Sequence, residues 1–437
     1  MPDLPRRALG RTVRLAGLPA AQAGRLALGL GRRVGGAPAD AVAAEVQRRG
    51  AEHLFRVLGE LKGGAMKVGQ AVSAMEAALP EQLGRPYREA LVRLQDAAPA
   101  LPATTVHAVL AAELRPGWRE LFREFDDEPV AAASIGQVHR AVWRDGRPVA
   151  VKVQYPGAAE ALLADLGHLD RLAPVVRVSA PGLDPQALFA ELRDRLLEEV
   201  DYVREADAQA AFAAAFRDDP DVVVPGVVAA ADRVLVTDWV EGTPLSRVID
   251  TGSQPERDRA GLVLVRLFLS SPARVGRLHG DPHPGNARLL PDGRLALLDF
   301  GSTEPIAGWP ARLGRLLALG RDGDAEGLVA AARDAGLVGG SAAGSRVSGD
   351  ALLALAEPLL APLRTDEFAF DRAWLREHVR RGTDPRSPAA RAQRHVSVPA
   401  RHLLVQRVGV GLLGVLCSLG ARVPVRAEAE RWVPGLA

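Results

Sequence analysis

Three oxygen-bearing side chains in the segment 279–301, HGDPHPGNARLLPDGRLALLDFG, are of the types that hold a magnesium ion. Asp281 and Asn286 precede its first apolar stretch, and Asp299 follows its second. Carboxylate and amide oxygens are hard ligands, and Mg²⁺ bound to phosphates takes its protein ligands from this set. If the two apolar stretches pair, the segment predicts a site for a metal-bound nucleotide.

The two apolar stretches are predicted to form a β-hairpin. Ala287–Leu290 and Leu295–Leu298 are separated by a Pro-Asp-Gly triplet, and proline and glycine at those places favour a tight reversal of the chain. A hairpin brings its two ends together, so Asp281 and Asn286 are expected to lie beside Asp299.

Rare residue types draw attention to the same chemistry. Asn286 is the only asparagine in 437 residues, and the chain has three lysines, Lys62, Lys67 and Lys152, among 55 lysines and arginines. In a composition rich in Ala, Arg, Gly and Pro, a retained Asn or Lys indicates a chemical requirement.

Lys152 lies in a second predicted hairpin. Residues 130–143 are followed by a turn and by the strand Pro148–Val153, in which Lys152 alternates with valines. A lysine in a buried strand needs an anionic partner, because burying an unpaired ammonium is costly. A phosphate and a carboxylate are both candidates.

Acidic side chains on a predicted helix could supply the carboxylate. The helix is predicted over 186–216. At about 100° per residue, Asp201 and Glu205 share a face of it, while Glu199 lies about 120° from Glu205. Glu199 and Glu205 can therefore address different cations.

A K-x-G-Q string provides a further pair of polar side chains. Lys67 and Gln70 are at i and i+3, on one face of a predicted helix. Glycines on both sides would let another backbone approach closely. A solvated helix face explains the string equally well, so both interpretations stay open at this point.

Composition excludes several classes of protein. A chain of 437 residues with 48% hydrophobic residues can bury a large core in two lobes, and a net charge of +2 argues against a general nucleic-acid binder. The single cysteine, Cys417, leaves no intrachain disulfide and no cysteine metal cluster. Val408–Ala421 is apolar but too short to span a bilayer, so we predict a buried helix there.

Residues 1–39 form a basic arm with seven arginines and one acid, without a signal-peptide pattern. Leucines spaced among the arginines could form basic amphipathic helices on an anionic membrane surface; the alternative is a partly ordered, solvated arm. The expected location is cytoplasmic, with peripheral binding to the inner face of the cell membrane as the alternative that the arm supports.

In chain order, these segments resemble the motifs of a protein-kinase-like fold. The string AAASIGQV at 131–138 is similar to the loop G-x-G-x-x-G-x-V, and VAVK ending at Lys152 is similar to V-A-I-K. The spacing from HGD to Asn286 matches H-R-D-x-x-x-x-N, and a D-F-G begins at Asp299. The string TDWV at 237–240 is similar to the hinge.

Several departures make the resemblance more specific. Alanines replace the first two loop glycines, a K-x-G-Q segment is added, E-V-D and R-E-A follow one another, and no A-P-E follows D-F-G. Over roughly residues 50–335, the chain therefore resembles the UbiB/AarF family of atypical kinases, associated with ubiquinone and other isoprenoid-lipid pathways.

The resemblance implies an α+β, bilobal protein-kinase-like fold with an added N-terminal helical K-x-G-Q extension and a helical C-lobe. The expected domains are the basic arm (1–39), the K-x-G-Q extension (40–125), a kinase-like N-lobe with inserted helices (126–241) and a helical C-lobe with the catalytic hairpin (242–437).

The resemblance also implies ATP and Mg²⁺ as cofactors and a role for each matching residue. Asp281 would be the catalytic-loop acid, and Lys152 would hold the phosphates while paired with Glu205. Asn286 and Asp299 would bind the metal ion.

Two larger sets of residues follow from the same resemblance. Contacts to ATP are expected from the alanine loop, the lysine and the hinge, namely Ala131, Ala132, Ala133, Ser134, Gly136, Val138, Lys152, Asp238 and Val240. A regulatory set would dock the K-x-G-Q helices where a peptide substrate would lie, with Lys67 paired to Glu199, namely Lys67, Gln70, Glu199 and Asp201. The alanine loop implies an altered nucleotide preference and suppressed self-phosphorylation.

The leading prediction is an ATP-binding, Mg-dependent atypical kinase or ATPase that acts in or regulates isoprenoid-quinone or membrane-lipid metabolism. Protein substrates are disfavoured, because H-G-D lacks the arginine that usually contacts a phosphorylated activation loop. The alternatives are a non-catalytic nucleotide-binding switch or scaffold for a lipid-pathway complex, and a small-molecule hydroxyl kinase. The expected partners are the nucleotide, an anionic membrane surface or isoprenoid lipid, and a second copy of the chain in a homodimer, but no nucleic acid.

Overall fold

A computed structural model describes residues 101–133, 135–157, 200–338, 347–384, 386–393, 395–396 and 400–437. The basic arm, the K-x-G-Q extension up to residue 100, and the predicted site residues Lys67, Gln70, Ser134 and Glu199 lie outside these ranges. The described chain divides into two compact units: one extends to Val203 and includes Val228–Asp238, and the other combines Arg204–Val227 with Trp239–Ala437.

Among the described residues, strands outnumber helices as far as Pro244, and helices make up most of the structure that follows. In order they are α1 (Ala103–Glu113), β1 (Phe122–Phe125), β2 (Ala131–Ala133), β3 (Gly136–Trp143), β4 (Pro148–Gln154), α2 (Tyr202–Ala215), β5 (Val222–Val223), β6 (Val227–Ala231), β7 (Val234–Asp238), β8 (Thr243–Pro244), α3 (Leu245–Thr251), α4 (Gln254–Arg274), β9 (Arg277–His279), β10 (Ala287–Leu289), β11 (Leu295–Leu297), β12 (Thr303–Pro305), α5 (Ala311–Arg321), α6 (Ala325–Asp334), α7 (Gly349–Leu360), β13 (Phe368–Ala369), α8 (Arg372–Thr383), α9 (Pro388–Gln393), α10 (Ala400–Leu419), β14 (Arg422–Val423) and α11 (Val425–Trp432). The predicted α+β class is confirmed.

The first unit is built on one sheet with the strand order β1-β3-β4-β7-β6, to which β2 adds by pairing with β3. Strands β3, β4 and β7 pair antiparallel. Val149, Val151 and Val153 of β4 are fully buried and pack with residues of α1 and β7. Because successive side chains of a strand point to opposite faces, Ala150 and Lys152 lie on the other face of the sheet.

The second unit contains a small sheet and a helical body. Its four-stranded sheet has the order β5-β11-β10-β8, and β9 pairs separately with β12. Helix α4 begins at a capping box formed by Ser253 and Glu256, which satisfies otherwise unpaired amides at the helix start. Its apolar side chains are largely buried, so α4 is a core helix of this unit.

Helix α10 contains the apolar stretch predicted to be a buried helix, and this prediction is confirmed. Val408, Leu412, Leu416 and Leu419 are all buried. Burial raises the pKa of the Cys417 thiol to about 12, so it stays protonated and behaves as a small apolar side chain. Among the described helices, none combines the length and the apolar character that a membrane span requires.

The prediction of one continuous helix over 186–216 is wrong at residues 200 and 201. Helix α2 begins at Tyr202, Val200 lies in a turn, and Asp201 precedes the helix. Asp201 and Glu205 therefore do not share a helix face. The physical reason is that an aspartate favours the position just before a helix, where its side chain can accept from free backbone amides, so this acid is a start signal inside a helical pattern.

A buried histidine connects three segments of the first unit. His139 is fully buried, its Nδ1 donates to the carbonyl of Asp126 (2.8 Å), and its Nε2 lies 2.8 Å from Nε2 of Gln137. Since Nδ1 carries the proton, Nε2 must accept from Gln137. The amide oxygen of Gln137 accepts in turn from the backbone N–H of Leu101 (2.8 Å). This chain of bonds requires a neutral imidazole.

We predict that the stability of this unit falls in mild acid. Burial lowers the pKa of His139 below its usual 6.5, so the unfolded chain binds the proton more tightly than the folded one. The contribution of neutral His139 to the free energy of unfolding is complete above pH 6.5. It is lost as the pH falls below that value, by at most about 1.4 kcal/mol per pH unit. Thermal unfolding between pH 8 and 5.5 measures the loss, and His139→Gln should show a shallower decline. Parallel declines in both proteins would contradict the prediction.

Candidate functional site

The predicted hairpin of the second unit is confirmed, with each strand one residue shorter than predicted. Ala287 pairs with Leu297 and Leu289 with Leu295. The turn is closed by the N–H of Gly293, which donates to the carbonyl of Leu290 (3.0 Å). Gly293 has φ +82°, a conformation that favours glycine.

A cluster of charges fixes this hairpin to helix α4. Arg259 donates to the carbonyl of Gly293 (2.8 Å) and to Asp221 (2.5 Å), and Arg266 donates to the second oxygen of Asp221 (2.6 Å). Burial acts to raise the pKa of Asp221, but the two guanidinium groups outweigh it and the pKa is lowered. Asp221 therefore stays ionised and holds both arginines.

The polar side chains predicted at the mouth of the hairpin are brought together. Asn286 is buried, and its Nδ2 donates to Oδ2 of Asp281 (2.9 Å) and to the Asp281 carbonyl (3.3 Å). The N–H of Leu298, which precedes Asp299, donates to the carbonyl of Asn286 (2.8 Å). Asp281, Asn286 and Asp299 therefore occupy the same end of the hairpin.

The orientation of the Asn286 amide follows from these bonds. Since Nδ2 donates to Asp281, the carbonyl oxygen Oδ1 is the atom of Asn286 that can act as a metal ligand. Oδ1 of Asp299 accepts from the N–H of Gly301 (3.0 Å), and a carboxylate keeps further acceptor capacity after one such bond.

The histidine that precedes this segment joins the two acidic residues. The backbone N–H of Asp281 lies 3.3 Å from Nδ1 of His279, and the carbonyl of Asp299 lies 2.5 Å from its Nε2. A backbone N–H can only donate, so Nδ1 accepts, and the ring proton sits on Nε2 and is donated to Asp299. The ring packs edge-on against buried Phe300, with 5.5 Å between centroids. A neutral His279 thus sets the spacing of the two backbones.

The glycine of H-G-D is required by a close backbone approach. The N–H of Gly280 donates to the carbonyl of Ser302 (2.6 Å). A Cβ on Gly280 would lie 2.6 Å from Oγ of Ser302 and 2.9 Å from its carbonyl oxygen. The arginine of H-R-D therefore has no room at this position.

The predicted lysine lies on the accessible face of the sheet in the first unit. Lys152 is partly buried and pairs across the strands with Val138 on β3 and Leu235 on β7. Ala150, two residues earlier on the same face, pairs with Thr237. Two residues predicted to contact ATP, Val138 and Lys152, are therefore direct neighbours.

Tyr202 is a neighbour of Lys152 that sequence reasoning missed. The Lys152 ammonium lies over the Tyr202 ring, 4.8 Å from its centroid. Nearby, the side chain of Gln154 donates to the carbonyl of Val200 (2.9 Å), so both the first residue of α2 and the segment before it contact β4. The available signal was an aromatic residue directly after E-V-D. Glu205, the predicted partner of Lys152, is buried on α2 in the other unit, and its pairing with Lys152 stays a prediction.

The alanine loop is a short strand attached to the sheet. Ala131 pairs with Val138 and Ala133 pairs with Gly136, while Ala131 and Ala132 are exposed. A Cβ on Gly136 would lie 2.3 Å from the carbonyl oxygen of Val153, so this loop glycine is needed for the close approach of β3 and β4.

The hinge residues fall on both sides of the division between the units. Asp238 ends β7 in the first unit, paired with Val149, and its carboxylate lies 3.5 Å from the guanidinium of Arg147. Val240 belongs to the second unit and is half-buried. The predicted contacts of these two residues with adenine stay predictions.

The side-chain oxygens at the open end of the hairpin suit Mg²⁺ that is also bound to phosphate and water. Within the described ranges, no group of three or more His, Cys, Asp or Glu side chains is arranged to hold a metal ion. Asp299 and the Oδ1 of Asn286 offer one carboxylate and one amide oxygen. Mg²⁺ in phosphate-binding sites uses one or two carboxylates and takes its other ligands from phosphate and water, so these residues fit it.

Comparison with known proteins places these features in a family. The family model of the ABC1 atypical kinase-like domain matches residues 93–312. The mitochondrial atypical kinase coq-8 of Caenorhabditis elegans is 34% identical over 66% of this chain and 38% of its own length. The mitochondrial atypical kinase COQ8 of Saccharomyces cerevisiae is 36% identical over 57% of this chain and 49% of its own length. The matched region thus spans less than half of either curated relative.

A solved structure matches nearly the whole chain. It is the complex of Rv3197 with erythromycin from Mycobacterium tuberculosis, which is 43% identical to this chain with a TM-score of 0.70. The match covers 92% of this chain and 100% of that one.

We predict that the Tyr202 ring shields and stabilises the Lys152 ammonium. A cation–π contact of this kind contributes about 1 kcal/mol, so Tyr202→Leu should acylate at Lys152 about fivefold faster with an amine-reactive reagent. Tyr202→Phe keeps the ring and should react like the unchanged protein. Mass spectrometry can follow Lys152 separately, because the chain has two other lysines as internal references. Equal rates in the Leu and Phe variants would contradict the prediction.

Proposed function

Since this chain belongs to the ABC1 atypical kinase-like family, we propose that it binds ATP with Mg²⁺ and transfers the terminal phosphoryl group to a hydroxyl acceptor or to water. The observation that carries the proposal is the neutral His279 ring, which accepts from the backbone of Asp281 and donates to the backbone of Asp299. The ring therefore fixes the distance between two backbone segments. One carries Asp299, the acid proposed to bind the metal ion, and the other carries Asp281, the acid that contacts Asn286.

Each residue in this proposal has a role that its chemistry supports. Asp299 and Asn286 would hold Mg²⁺, which would offset negative charge on the phosphates when bound. Asp281, which accepts a hydrogen bond from Asn286, would orient the acceptor hydroxyl and take up its proton. Lys152 would contact the α and β phosphates with its ammonium.

We further propose that the acceptor is not a protein. Gly280 leaves no room for the H-R-D arginine, which in protein kinases usually contacts a phosphorylated activation loop, and the chain has no A-P-E after D-F-G. The resemblance to UbiB/AarF kinases, which are associated with ubiquinone and other isoprenoid-lipid pathways, supports a role in isoprenoid-quinone or membrane-lipid metabolism. Peripheral contact of the basic arm with an anionic membrane would bring the chain to such an acceptor.

We predict that ATP hydrolysis depends on Asp299, at the open end of the hairpin, and on Lys152. Asp299→Asn and Lys152→Ala should each lower the rate by at least about 100-fold, since the first weakens the proposed hold on Mg²⁺ and the second removes the ammonium proposed to contact the phosphates. Asp292→Asn is the matched control, because Asp292 lies at the exposed turn of the same hairpin, where its carboxylate binds Arg294. Rates are compared with and without anionic liposomes.

The outcomes separate the alternatives. Turnover stimulated by liposomes supports the lipid-linked enzyme, whereas turnover with a soluble alcohol and no lipid effect supports a small-molecule kinase. Nucleotide binding without turnover in either condition supports a non-catalytic switch or scaffold. Absence of nucleotide binding would contradict all three functions.

A second candidate function is the binding of a macrolide. It is supported by the 43% identity to the Mycobacterium tuberculosis protein Rv3197, which was solved in complex with erythromycin and whose whole length is covered. We predict that erythromycin raises the melting temperature of this chain in a saturable manner, equivalent to about 2.7 kcal/mol at 100 times its dissociation constant. An unchanged melting temperature together with no heat of binding in calorimetry would exclude this function.

A further inference from the structure

Helix α10 reaches the H-G-D loop from outside the part of the chain that the family model matches. The family model ends at residue 312, whereas α10 begins at Ala400. Nη2 of Arg407 donates to the carbonyl of Gly280 (3.0 Å) and lies 3.4 Å from Oγ of Ser302. One guanidinium thus contacts the residue before Asp281 and a residue shortly after Asp299.

A second contact lies one helical turn further along α10. Gly411 faces Pro282, and a Cβ on this glycine would lie 3.0 Å from Cγ of Pro282. Residues four apart lie on the same side of a helix, so Arg407 and Gly411 present one face of α10 to the loop. The segment 280–282 is therefore contacted on both sides of Asp281.

The helix that carries the arginine is well anchored. Val408, directly after Arg407, is fully buried, and Leu412 and Leu416 are also buried. A helix held by its apolar side chains offers a rigid support, and a charge-assisted hydrogen bond from it is stronger than a neutral one. The contact can therefore hold the carbonyl of Gly280 in a fixed place.

We propose that Arg407 is a positioning residue, which fixes the Gly280–Ser302 backbone pair and thereby the place of Asp281. The space beside Gly280 is closed to a side chain, so the positive charge next to the loop comes from a distant helix instead. In protein kinases, the H-R-D arginine usually contacts a phosphorylated activation loop. Arg407 instead contacts the H-G-D loop directly, so this contact does not require phosphorylation of the segment after D-F-G. The effect on turnover rests on the proposed function; the effect on the loop backbone does not.

The first test measures the backbone directly. Hydrogen–deuterium exchange is followed in segments 280–286 and 301–303 of the full chain. Arg407→Ala should exchange about tenfold faster there, with unchanged exchange in the apolar end of α10. Arg407→Lys, which keeps the charge and a donor, should restore most of the protection. Arg380→Ala is the charge-matched control, since Arg380 is exposed on α8 and pairs with Glu377.

The second test separates positioning from a general loss of structure. In ATP hydrolysis, Arg407→Ala should lower kcat about tenfold or more while KM for ATP changes less than twofold, and Arg407→Lys should recover part of kcat. If Arg407→Ala does not fold, Arg407→Gln replaces it in both measurements.

The two tests also distinguish this inference from the proposed function. If the unchanged chain does not hydrolyse ATP, the proposed function fails while the exchange measurement still decides the role of Arg407. Exchange in 280–286 that is the same in Arg407→Ala as in Arg380→Ala would overturn the inference, and so would a rise in KM with kcat unchanged.

Discussion

The arrangement of acids in the second unit depends on one neutral imidazole. His279 accepts from the backbone of Asp281 and donates to the backbone of Asp299, and only the neutral ring can do both at once. Its packing against Phe300 and Phe212 holds the ring in place. Because both backbones are attached to this ring, the positions of the carboxylates follow from a buried group that carries no charge itself. Asn286 then adds a direct bond to Asp281.

Close approach of backbone segments accounts for one glycine in each unit. Gly136 lies against the carbonyl of Val153, and Gly280 lies against Ser302; neither place admits a Cβ without displacement. In each unit, therefore, the backbone at this glycine packs directly against a neighbouring strand or segment. The same constraint explains why H-G-D cannot contain an arginine. The guanidinium that donates to the carbonyl of Gly280 belongs to Arg407 on α10.

Local patterns predicted much of the site, and each failure has a physical cause. The Pro-Asp-Gly turn and the alternation around Lys152 each depend on neighbouring residues, and both predictions agree with the structure. The helix over 186–216 was predicted from periodicity alone, which carries little information on where a helix begins; the helix among the described residues begins at Tyr202. The contact of Tyr202 with Lys152 joins residues 50 apart in the chain, and no local period encodes such a distance.

The sequence by itself determined which residue types could bind a phosphate and a metal ion, the hairpin that carries them, the face of the strand that holds Lys152, and the family resemblance. These properties follow from spacings of two to five residues, which backbone geometry converts directly into position. Only the tertiary structure decided the neutral tautomer of His279, the ring beneath Lys152 and the guanidinium that α10 supplies to Gly280. Each of these depends on the packing of segments distant in the chain, because burial and close contact, rather than local periodicity, select the partner.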